Sequence, residues 1–130
     1  MREIPAGLTN RLEITPEERH TAAAMGNTGV HVVSTPSLIG YLELASQRSI
    51  LPYCEEGEAT VGTRVEVDHL APAFLGQPVV ATARVLATKG RRVTFEVAAE
   101  QGEHLIMRGR HSRAIVRLDR LLNRAPKNVS

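Results

Sequence analysis

A chain of 130 residues and 14.2 kDa has room for one domain, 1–130, and 42% apolar with 23% charged residues argue for a packed core over disorder. Only Tyr41, Tyr53, Phe74 and Phe95 are aromatic, and the net charge is +2, which argues against base stacking and leaves little pull on a polyanion; no nucleic-acid partner is expected. Cys54 is alone, so there is no intrachain disulfide and no cysteine-based metal cluster, and no apolar run has signal-peptide or membrane-span length; a cytoplasmic protein without a membrane partner is the expectation.

In chain order, residues 8–14 predict a short strand and Thr15-Pro16-Glu17-Glu18-Arg19 a turn. Residues 20–34, with small side chains and Gly26 and Gly29, predict a mobile connection with room for an extended piece at 30–33. Thr35-Pro36 predicts a helix start, with Thr35 as N-cap and a proline that loses nothing at the next position. The helix runs to about Leu51, where Pro52 stops it. Leu38, Leu42, Ala45 and Ser49 make one row; Ile39, Glu43, Ser46 and Ile50 make the next. Such a helix is mostly buried, with Glu43 in the middle of its apolar side.

Residues 58–70 alternate, with Ala59, Val61, Thr63, Val65, Val67 and His69 on one face. Strands at 78–89, 92–101 and 104–118 follow, separated by turns at Lys89-Gly90-Arg91 and Gln101-Gly102-Glu103, and a frayed tail occupies about 123–130. One long buried helix and five antiparallel strands predict an α+β fold, the hot-dog arrangement of a central helix wrapped by a curved five-stranded sheet. The sheet edges call for pairing between subunits, a homodimer or a tetramer built from it.

Glu43 and His69 are the chemical anomalies. A carboxylate on an apolar helix face costs several kcal/mol unless it is paired or protonated. Glu43 is therefore either a structural residue bonded to an amide or an arginine, or a general base or nucleophile. The parity of His69 aims it at the same interface, and acid–base or nucleophilic chemistry needs such a pair. Thr35 is a plain N-cap or, with a free hydroxyl, a third member at a helix start where amides favour developing negative charge. His20, His31, His104 and His111 lack metal-ligand spacing, so no metal site and no cofactor are expected. Arg108, Arg110, Arg113, Arg117, Arg120 and Arg124, and Arg91 and Arg92 at the hairpin tip, are either a solvated rim or a phosphate-binding one.

The stretches Thr35-Pro-Ser-Leu-Ile-Gly-Tyr-Leu-Glu43, Val61-Gly-Thr63, Val67-Asp-His69-Leu-Ala-Pro72, Gly90-Arg-Arg92 and Gly109-Arg-His-Ser-Arg-Ala114 together resemble the hot-dog thioesterases of the fluoroacetyl-CoA thioesterase type. The resemblance runs from about Thr35 to Leu121. It implies thioester hydrolysis by Glu43 and His69, an orienting or activating Thr35, and Gly62 lining the site. It also implies an acyl-CoA substrate whose CoA crosses a subunit interface with its phosphates near Arg91 and Arg92. The family's aromatic-rich lid has no counterpart in His20–Val30, where no Phe occurs. That departure points to a general or different acyl-CoA thioesterase. A non-catalytic acyl-CoA-binding or sensing module stays open as the alternative; a hydratase would need an Asp–His pair at the helix start, and none lies near 35–43.

Overall fold

The computed structural model describes residues 1–126; the end of the expected tail, 127–130, lies outside them. Strands β1 (Thr9–Ile14), β2 (Glu58–His69), β3 (Val79–Lys89), β4 (Arg92–Gln101) and β5 (His104–Arg117) form one sheet in the order β1-β3-β4-β5-β2, every pair antiparallel. Helix α1 (Thr35–Ile50) touches all five strands, which curve around it as a hot-dog fold. The β3–β4 and β4–β5 turns are two-residue hairpins whose first residues, Gly90 and Gly102, both sit at φ 59°. That left-handed conformation costs glycine nothing.

The core lies between α1 and the concave face of the sheet. Leu38, Leu42, Ala45 and Ile50 of the helix meet Val85, Val93, Phe95, Val97, Met107 and Ile115 of the strands, each at most 2% exposed. Burial of one such large side chain contributes about 2 kcal/mol. The first predicted helix row is buried throughout, Ser49 included. Glu43 differs from expectation: its side chain is 41% exposed. It sits on the flank of α1 facing edge strand β2, where Gly62 provides no side chain to cover it.

Further features depart from the sequence reading. Ser34, not Thr35, caps α1: its Oγ accepts from Ser37 N at 3.1 Å, which frees the Thr35 hydroxyl. In β2 the single alternating face is broken by a bulge between Gly62 and Arg64. Before it Thr60 and Gly62 share the helix side with Ile115 and Arg113; after it Val65, Val67 and His69 do. An extra residue reverses the phase of alternation, so odd parity holds only beyond the bulge. Finally, residues 20–34 are a closed strap. Ala22 N bonds Val32 O, Ala23 N bonds Val30 O, Ser34 N bonds His20 O, and Thr21 bridges Val33, with Gly26 and Gly29 at φ 104° and 85° turning the chain. A short helix α2 (Leu118–Leu122) follows β5, taking the last residue of the predicted strand and ending before the expected tail.

Candidate active site

Thr35 opens α1, Glu43 lies two turns further along it, and His69 ends β2, so the helix start and the strand end meet. Thr35 Oγ1 and His69 Nδ1 are 2.7 Å apart, a hydrogen bond between residues 34 apart in sequence. The hydroxyl can make it because capping falls to Ser34. Of the first-turn amides, Ser37 N bonds Ser34 Oγ, Leu38 N bonds Ser34 O, and Pro36 has none. Among the described residues, the first-turn amide left without a hydrogen-bond partner is that of Thr35.

The Glu43 carboxylate has a partner the sequence reading left among the surface arginines. Arg113 Nη1 donates to Glu43 Oε2 at 3.5 Å. Arg113 is itself 7% exposed and bonded through all three nitrogens: Nε donates to Thr60 Oγ1 at 2.6 Å, Nη2 to Thr60 O at 3.1 Å, and Nη1 also reaches His111 Nε2 at 3.2 Å. Burial pulls the guanidinium down from its ordinary range, and Glu43 opposes that. Gly62 completes the wall. A Cβ there would lie 2.9 Å from Glu43 Oε2 and 3.3 Å from His111 Cε1, so the carboxylate occupies the space the glycine leaves.

Among the described residues no hydrogen bond joins Glu43 to His69; the expected close pair resolves into two neighbouring contacts, Thr35–His69 and Glu43–Arg113. Arg91 and Arg92 touch neither. Arg91 Nη1 bonds Glu58 Oε2 at 2.7 Å and the Ile115 carbonyl, while Arg92 lines a groove on the convex sheet face with Arg64, Glu66, Thr94, Arg110 and Ser112. Arg113 was legible in one respect. Met107, His111, Arg113 and Ile115 share odd parity on β5, but the flanking Arg108 and Arg110 make that strand read as charged on both faces.

A family model described as FlK: Fluoroacetyl-CoA-specific thioesterase matches residues 16–119. The chain belongs to the fluoroacetyl-CoA-specific thioesterase family. It is 36% identical over 89 residues to the fluoroacetyl-CoA thioesterase of Streptantibioticus cattleyicolor, a match spanning 68% of this chain and 64% of that relative's length. The structure of the fluoroacetyl-CoA thioesterase FlK superposes with a TM-score of 0.92 at 25% identity, covering 98% of this chain and 99% of that one. A mutant of FlK in complex with fluoroacetate and CoA superposes at 0.87 with 27% identity, covering 91% and 99%. Membership of this family of thioester hydrolases thus rests on sequence and fold together.

Proposed function

We propose that this chain is an acyl-CoA thioesterase that hydrolyses a small or medium acyl-CoA thioester to free acid and CoA at Thr35, Glu43 and His69. The observation that supports the reading is that Thr35 bonds His69 while the half-exposed Glu43 carboxylate stands beside Gly62 on the same edge strand, with Thr35, Gly62 and His69 all exposed. A thiolate is a good leaving group, so the task is to supply electrons to the carbonyl carbon and to stabilise the oxyanion. In this reading Glu43 either attacks the carbonyl or takes the proton of an attacking water. His69, oriented through Nδ1 by Thr35, stabilises or protonates the departing groups. Arg91, paired with Glu58 through Nη1 but largely exposed, and Arg92 remain the candidates for the CoA phosphates.

The same reading makes the protein a homodimer, with the possibility of a tetramer as in the sequence expectation. Strand β2 is an edge of the sheet, and it carries the exposed Val65, with Leu70 just beyond it. A second copy on that edge would pair its free backbone groups and roof the site. No helix among the described residues is long and apolar enough to cross a membrane. Cytoplasmic placement belongs to the same proposal, supported by the lone Cys54 thiol.

The test is free-thiol release from a panel of acetyl-, fluoroacetyl- and longer acyl-CoAs. Glu43→Ala and His69→Ala should each lower kcat by about 100-fold or more with the fold intact, the usual scale of acid–base contributions. Wild-type turnover in both variants would refute the assignment of these residues; no thiol release by the wild type from any acyl-CoA would leave an acyl-CoA-binding module.

A further inference from the structure

Two buried polar side chains on β5 have no step in the hydrolysis just described: His111, 1% exposed, and Arg113. The protonation state of His111 follows from its contacts. Nδ1 lies 2.8 Å from the carbonyl oxygen of Arg64, which can only accept, so Nδ1 carries the hydrogen. Nε2 lies 3.2 Å from Arg113 Nη1, which can only donate, so Nε2 is bare. Only the neutral Nδ1–H ring makes both bonds at once. A cationic ring would set one N–H against another.

The backbone builds this arrangement. The bulge in β2 takes Thr63 out of register with β5, and the carbonyl just after it, that of Arg64, is the one His111 uses. Phe95 lies stacked against the ring, with centroids 6.2 Å apart and planes inclined by 24°. Ring position and ring plane are therefore both set from outside the site.

We propose that His111 is the positioning residue of this site: as the neutral Nδ1–H tautomer it braces Arg113, and through Arg113 it fixes Glu43 Oε2 beside Gly62. This rests on the reading of Glu43 as the acting carboxylate. The charged groups that face the ring are Arg113 on β5 and Glu43 on α1. Among the described residues β2 adds the Arg64 carbonyl and the uncharged Gly62, the Arg64 side chain pairing with Glu66, and β4 adds Phe95. Burial pushes His111 below the ordinary imidazole range and Arg113 adds to it, against the Arg64 carbonyl and Glu43. The brace thus holds through neutral pH and is lost on acidification, when Nε2 takes a proton.

The experiment compares kcat and KM for acetyl-CoA in the wild type, His111→Asn, His111→Gln and Glu43→Ala. Asn places its amide where Nδ1 stands and keeps a donor for the Arg64 carbonyl; Gln reaches the position of Nε2 and keeps an acceptor for Arg113. His111→Asn should lower kcat by about tenfold or more with KM little changed, because the carboxylate is displaced and binding is not. His111→Gln should recover part of that loss and should lack any acid limb contributed by residue 111. Unchanged kcat in His111→Asn, beside a large loss in Glu43→Ala, would overturn the positioning role alone. Wild-type turnover in Glu43→Ala would instead overturn the site reading on which it stands. On the unaltered protein, two-bond proton–nitrogen correlation of the imidazoles at pH 7 should show His111 as the neutral Nδ1–H form. An Nε2–H or cationic ring there would overturn the proposal whatever the variants do.

Discussion

Gly62 shows how one missing side chain can shape a site. Its backbone is not left-handed, so an alanine there meets no conformational penalty, only the Glu43 oxygen 2.9 Å away and the His111 and Arg113 atoms behind it. The flexible carboxylate is the group that yields. Gly62→Ala should therefore cost about 10- to 100-fold in kcat/KM, the scale of a misplacement near 1 Å, while the melting temperature moves little. A large loss of stability with retained turnover would contradict this picture. The identity of Thr35, Glu43, Gly62 and His69 as candidates was readable from residue types and family resemblance. The partner of Glu43 was not, because Arg113 is 70 residues away and its approach depends on the β2–β5 register.

At the scale of elements, capping and the contact with His69 separate into adjacent residues at the start of α1. Ser34 Oγ accepts from Ser37 N, while Thr35 Oγ1 contacts His69. Ser34→Ala should destabilise the protein by about 1 kcal/mol, a usual N-cap loss, with turnover largely kept. Thr35→Ala should do the reverse: near-wild-type unfolding and reduced turnover. Paired denaturant and thiol-release measurements on the two variants check the assignment, and an exchange of the two phenotypes would return the cap to Thr35. The helix, its length and its buried row were legible because a 3.6-residue period is written locally. The bulge in β2 was not, since one extra residue there is visible only against the partner strand. The strap was read as mobile because its composition is small and glycine-rich, whereas its hydrogen bonds reach across the loop from Ala22 to Val32 and from Ser34 to His20.

Across the whole molecule, Glu58 ties the chain's first residue, β2 and the β3–β4 hairpin together. Its carboxylate accepts from the Met1 ammonium at 2.7 Å, the Glu55 amide at 2.8 Å and Arg91 at 2.7 Å. These bonds, the ammonium's first, lower its pKa from 4.5 to about 2. A depressed carboxylate stabilises the fold above its unfolded pKa and loses that contribution as pH falls, here between 4.5 and about 2. Thermal unfolding from pH 6 to 2 should show a shallower acid loss in Glu58→Gln than in the wild type; parallel curves would refute it. Light scattering at micromolar concentration should give twice the monomer mass, because β2 leaves an edge and an uncovered site; a stable, active monomer would contradict the dimer. The sequence by itself determined the element order, the α+β class and the buried helix row, since periodicity, turn residues and cap-plus-proline signals are local, and it supplied the candidates for the site. Only the tertiary structure decided that Glu43 meets Arg113 and not His69, that Thr35 is free to reach His69, and that His111 stands behind the arginine. Those contacts depend on strand register, a bulge and hydrogen-bond competition among residues far apart in the chain, and none of these is encoded within one element.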